Sequence, residues 1–115
     1  MKNKIVILIF TILLFAPAAY PCGAPTEIYG QVTANVLGLN LPVYQATVVL
    51  EDEGMTVFVV RSNPFGWYRF PAVLPCGVYT VRAFHKRFVF TPFNIPPEDF
   101  DDGDVRVDLV GALSN

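Results

Sequence analysis

The apolar positions of this chain alternate with polar ones and show no sustained helical period after the first twenty residues. Alternation with a period of two is the signal of a half-buried strand. In "EIYGQVTANV", Ile28, Gly30 and Val32 point one way and Tyr29, Gln31 and Thr33 the other. "YQATVVLED" gathers Ala46, Val48 and Leu50 on one face. "MTVFVVRS", "GWYRFPAV", "GVYTVRAFHK" and a short "RFVFTPF" follow. "VRVDLVGAL" sets Val105, Val107 and Leu109 against Arg106, Asp108 and Val110. Turn signals separate these runs: Gly38, Asn40 and Pro42, the acidic "EDEG", and the loop "NIPPEDFDDGD". The prolines, Pro71 among them, fall mostly where elements are expected to end. About seven short strands at this spacing predict an all-β antiparallel sandwich rather than a parallel α/β sheet.

The run "SNPFGWYRF", residues 62–70, combines a turn with a strand. Asn63, Pro64, Phe65 and Gly66 fit a type I turn: Asn bonds its own backbone two residues on, Pro presets φ, and Gly lets the chain leave. Beyond it, Tyr68 and Phe70 are expected to face the core, and Trp67 and Arg69 to face out. "LPCGVYTVRA" repeats the logic, with Gly77 in the turn, Tyr79, Val81 and Ala83 inward, and Thr80, Arg82 and Phe84 outward.

The first residues follow another grammar. Lys2 and Lys4 precede the apolar run Ile5 to Phe15, and Ala16-Pro17-Ala18 resembles a small-residue cleavage site. The run is shorter than the roughly 20 residues needed to span hydrocarbon. The expected organisation is a signal peptide over 1–19, an N-terminal arm with Cys22 over 20–27, and one domain over 28–112. Tyr20 and Pro21 before Cys22 argue against lipidation. Loss of Lys2 and Lys4 leaves six basic residues against ten acidic, a net charge of about −4. Such a surface does not suit nucleic acid or an anionic membrane. The expected location is secreted, periplasmic or cell envelope, with no stable membrane insertion after cleavage.

In an exported chain, two cysteines, Cys22 and Cys76, make one disulfide the default reading. A catalytic thiol would need a base, and His85 is the one histidine.

The order "QVTANV", "ATVVL", "NPFGWYRF" and "CGVYTV" resembles a carboxypeptidase regulatory-like domain. The matching positions are Gly30 and Val32; Ala46 and Val48; Asn63, Gly66, Tyr68 and Phe70; and Gly77, Tyr79 and Val81. "KRFVFTP" is similar to a secreted bacterial subgroup. The resemblance covers about residues 28–110. It implies a Greek-key, prealbumin-like (transthyretin-like) sandwich with a carbohydrate-binding-like fold, and an accessory module rather than a peptidase. Two features depart from the family: the first turn, "VLGLNLP", is unusually apolar, and the cysteine pair is not a general family feature.

Candidate chemistry is sparse. If the strands carrying them adjoin, Phe65, Trp67, Arg69, Arg82 and Phe84 form an aromatic–cation surface for an extracellular protein or a glycan. The alternative is that Trp67 covers its own sheet with Arg69 laid across it. The acidic loop Glu98, Asp99, Asp101, Asp102, Asp104 lacks the spacing of a calcium loop, and a solvated loop is expected. His85 has no neighbouring ligand set. Ser62 and Ser114 have no nucleophile context. The expectation is a non-enzymatic structural or binding module without cofactor or metal. A carbohydrate-binding module around Trp67 is the first alternative, and a small hydrolase of transthyretin-like fold the second.

Overall fold

The structure, a computed structural model, describes residues 22–114. The expected signal peptide and its cleavage site lie outside these residues. The described chain is all-β apart from one 3-10 helix, and it forms two sheets around a single apolar core.

The described residues form ten strands: β1 (Thr26–Val36), β2 (Leu39–Pro42), β3 (Thr47–Asp52), β4 (Met55–Arg61), β5 (Trp67–Val73), β6 (Tyr79–Phe84), β7 (Phe88–Phe90), β8 (Phe93–Asn94), β9 (Val105–Arg106) and β10 (Leu109–Leu113). The helix, Pro97–Asp102, lies within the "NIPPEDFDDGD" segment. The first sheet runs β2-β1-β10-β7, with β5 and β9 also paired to β1. The second runs β4-β3-β6-β8.

The strand alternation is realised as burial. Ile28, Val32, Ala46, Val48, Leu50, Phe70 and Val81 are fully buried between the sheets. Each large apolar side chain taken out of water in this way contributes about 1.5–3 kcal/mol. Edge strand β4 does not follow the pattern: Met55, Val57, Phe58 and Val59 are all exposed, and the β3–β4 register slips between Leu50 and Glu51. Pro71 lies inside β5 rather than at an element end. It sits where the β1–β5 register shifts, on a strand that pairs with β1 alone, so its missing N–H breaks no ladder.

The strand read from "VRVDLVGAL" is broken, and its pairing is parallel. β9 and β10 both run parallel to β1, with Ile28 opposite Val105 and Val32 opposite Leu109. The chain crosses to the second sheet and back between β1 and β10, and such a detour is what a parallel pair requires. At the break, the Val107 N–H donates to Tyr29 O at 2.8 Å. The Asp108 carboxylate accepts the Gln31 N–H at 2.9 Å, so the ladder of β1 remains satisfied.

The break turns the Val107 carbonyl over Gly30. A Cβ at residue 30 would overlap that carbonyl, which is why glycine stands at an inward, fully enclosed strand position.

Candidate functional site

Asn63 to Gly66 closes a turn in which Gly66 N–H donates to Asn63 O at 2.8 Å. The Asn63 Oδ1 accepts Phe65 N–H at 3.0 Å and Trp67 N–H at 2.9 Å. Pro64 is exposed at the second turn position. Gly66 has φ +86°, and its carbonyl accepts the Val32 N–H at 2.7 Å, so the turn is fastened to the middle of β1. Phe65 projects into solvent, 70% exposed.

Beyond the turn, Tyr68 and Phe70 enter the core, with their rings 5.7 Å apart. The Tyr68 hydroxyl donates to the Val107 carbonyl above Gly30. Burial raises the Tyr68 hydroxyl well above the usual tyrosine range, and the Asp108 charge adds to the effect.

The outward residues do not form one surface. Trp67 and Arg69 lie on β5 in the first sheet, while Arg82 and Phe84 lie on β6 in the second. β5 pairs with β1, not β6, because the chain changes sheet between them, and this carries the two pairs to opposite outer faces. The cation over Trp67 is Arg106 rather than Arg69, at 5.1 Å from the ring centroid. It comes from β9, across β1 from β5. Arg69 instead pairs with Glu27 at 3.0 Å, and Arg82 with Glu51 at 2.7 Å.

The second turn is a corner. The Tyr79 hydroxyl donates to Leu74 O at 2.6 Å, five residues back at the start of its own loop. This is the arrangement that anchors strand crossings in immunoglobulin-type sandwiches. The ring lies over Gly77, and Val81 follows inward. Burial, then the charge of Asp52, raises the Tyr79 hydroxyl. Cys76 sits in the same loop and is disulfide-bonded to Cys22, with Cα atoms 5.4 Å apart. The bond therefore fastens the N-terminal arm to the corner.

Two features have roles that the sequence does not announce. Ser62 is a buried staple: its hydroxyl donates to Val43 O at 2.6 Å and accepts Ala46 N–H at 2.9 Å. A small polar residue before an Asn-Pro turn was its only sequence signal. The other is a groove of about 730 Å³ lined by Tyr44, Arg61, Phe84, His85, Lys86 and Phe88, among others. Its walls come from loops and strand ends far apart in sequence, so no local motif marks it.

His85 lines this groove, and its Nδ1 accepts the Arg87 N–H at 3.2 Å. Phe88 stacks beside it at 5.2 Å. Among the described residues, no three His, Cys, Asp or Glu side chains converge on a metal-sized site. In the acidic segment, Asp104 accepts the Glu27 N–H at 2.9 Å. No described helix is long and apolar enough to cross a membrane.

The chain matches no protein-family model and no curated protein. Its fold is similar to that of a solved structure, a point mutant of the shaft pilin SpaA from Lactobacillus rhamnosus GG. The TM-score is 0.58 at 10% sequence identity, over 79% of this chain and 51% of the pilin. The chain thus spans about half the length of that neighbour. At this identity the likeness is one of fold.

Proposed function

We propose that this chain is a non-catalytic structural or binding module that works outside the cytoplasm, and that it is a prealbumin-like domain of the carboxypeptidase regulatory-like kind. The observation that carries the reading is how the buried hydroxyls are used. Ser62, Tyr68 and Tyr79 each donate to a backbone carbonyl of a crossing or corner. They are committed to holding the scaffold, as is the disulfide at the Tyr79 corner.

The hydrolase alternative finds less support. His85 has its Nδ1 occupied by a local backbone N–H, and among the described residues no carboxylate lines its groove to orient an imidazole. The fold neighbour named above is a shaft pilin, which suits a structural module, and the disulfide suits an oxidising compartment.

A second reading, glycan contact at Trp67, is favoured by one feature. Trp67 is 38% exposed and borders a cleft of about 330 Å³ with Arg61, Asn63 and Arg69.

Cell fractionation with thiol labelling tests the leading reading. The chain is expected in the envelope or extracellular fraction, inert to maleimide until reduced. A cytoplasmic chain with free thiols overturns it. So does turnover of an ester or peptide panel that is lost in His85→Ala. Tryptophan-fluorescence titration with polysaccharides tests the second reading, which fails if Trp67 responds to none.

A further inference from the structure

The charges of this domain are sorted by end. Among the described residues, three ion pairs join Glu27, Glu51 and Asp108 to Arg69, Arg82 and Arg106. The other seven carboxylates are Asp52, Glu53, Glu98, Asp99, Asp101, Asp102 and Asp104. The remaining described cations are Arg61, Lys86 and Arg87.

The pairing register places these two sets at opposite ends. Asp52 is opposite Tyr79, and Asp52 Oδ1 accepts the Val78 N–H at 3.0 Å. The Phe100 ring lies 5.6 Å from the Tyr79 ring, so the 97–104 segment shares that end. β4 and β6 then run away from it and finish at Arg61 and Phe84, which flank Thr47 of β3 on either side. His85, Lys86 and Arg87 follow directly. At about 3.3 Å per residue, the five steps of β6 separate the two ends by roughly 17 Å.

The cationic end is also where the groove opens. Tyr44 and Phe84 are 53% and 55% exposed beside Arg61 and Lys86, and among the described residues no carboxylate lines the groove. The acidic end is exposed. It offers the hairpin tip Glu53-Gly54 and the exposed carboxylates Glu98, Asp99 and Asp101.

We infer that the groove is a docking surface for a second copy of this chain, entered by the acidic end of that copy. The charge complementarity that argues for this occupant is carried within one chain. The contact is heterologous, head to tail, so it does not close on itself and it builds linear arrays. The exposed charges set specificity and rate, and their attraction falls within a Debye length of about 10 Å at 0.1 M salt. The inference rests on the module reading above and names its partner.

Sedimentation velocity of the oxidised protein over a concentration series tests it. The mass average is expected to rise with concentration at 50 mM salt and to weaken about tenfold in apparent affinity by 0.5 M. Arg61→Glu/Lys86→Glu gives a chain acidic at both ends, and Glu53→Lys/Asp101→Lys weakens the acidic end. Each variant alone is expected to sediment as a monomer, and an equimolar mixture is expected to associate again. All four residues are exposed, and Arg61→Gln/Lys86→Gln supplies a milder version of the first variant if reversal perturbs folding.

A monomer at every concentration and salt overturns the inference. So does association that survives the reversals, or mixtures that do not recover. Groove-dependent binding of polygalacturonate with no self-association also overturns it, in favour of an acidic glycan. None of these results touches the module reading, which falls on reduced cytoplasmic chain or on His85-dependent turnover.

Discussion

The hydroxyl of Tyr68 on β5 reaches across Gly30 of β1 and donates to the carbonyl of Val107, at the break between β9 and β10. One side chain thereby satisfies a carbonyl that has left its ladder and ties three strands of the first sheet. Tyr68→Phe keeps the ring and removes the donor, leaving a buried acceptor unpaired. The expected loss is about 1–3 kcal/mol. For a domain of this size that is a fall of roughly 4–8 °C in Tm per kcal/mol. Gly30→Ala should cost more, because its Cβ must displace the Val107 backbone rather than a flexible side chain. Denaturant midpoints measure both. If Tyr68→Phe keeps the wild-type midpoint, the carbonyl has another partner.

The same hydroxyl makes stability depend on alkaline pH. Burial raises Tyr68 and Tyr79 above the range near pH 10 at which unfolded tyrosine ionises. Above that value the unfolded chain releases protons that the folded chain retains. Linkage then makes stability fall as pH rises, while below pH 10 this contribution is fully present. Unfolding free energy should be flat in this respect from pH 7 to 9 and decline above about pH 10. Tyr68→Phe should show a shallower alkaline decline. An unchanged slope would exclude Tyr68 as its source, and denaturant titrations paired with tyrosinate absorbance give the measurement.

Much of this architecture is legible in the sequence, because strand alternation and turn chemistry are local. Ile28, Ala46, Val48, Leu50, Phe70, Val81 and Leu109 are inward by parity alone, and the Asn63–Gly66 turn follows from its four residues. What depends on sheet assignment is not local. Trp67 and Arg82 stand in successive strands with the same outward parity, and nothing near either residue records that the chain changes sheet between them. The parallel pairing of β1 with β10 joins residues 77 positions apart, and the role of Gly30 is visible only once Val107 is above it. The groove and the sorting of charge to two ends also arise only from the assembled register.

The Cys22–Cys76 bond closes a loop with a sequence separation of 54. Chain-entropy arguments value such a closure at roughly 4 kcal/mol, less where the open chain keeps some structure. It ends in the loop that also holds the Tyr79–Leu74 bond, so its loss should loosen the corner as well as the arm. Cys76→Ala is expected to lower stability by about 2–4 kcal/mol under oxidising conditions. Reduced wild type should match the variant. Full thermal stability of the oxidised Cys76→Ala variant would show that the bond does not stabilise the fold.

The hairpin joining β1 to β2 carries a correctable strain. Leu37 has φ +53° and Gly38 has φ +83°, and Val36 pairs directly with Leu39, which makes a two-residue turn of the type I′ sense. The first position of such a turn favours Asn, whose short polar side chain tolerates the left-handed region, whereas leucine is disfavoured there by about 1–2 kcal/mol. Leu37 gains nothing in return from burial, since it is 95% exposed. The bond from Gly38 N–H to Asn35 Oδ1, at 3.2 Å, does not involve residue 37 and should persist. Leu37→Asn is therefore expected to stabilise the domain by about 1 kcal/mol, the low end of the leucine penalty, and to raise Tm by roughly 4–8 °C. It should also reduce retention on a hydrophobic column. If the substitution destabilises instead, the Leu37 side chain has a contact in solution, and the tip of this hairpin is covered rather than free.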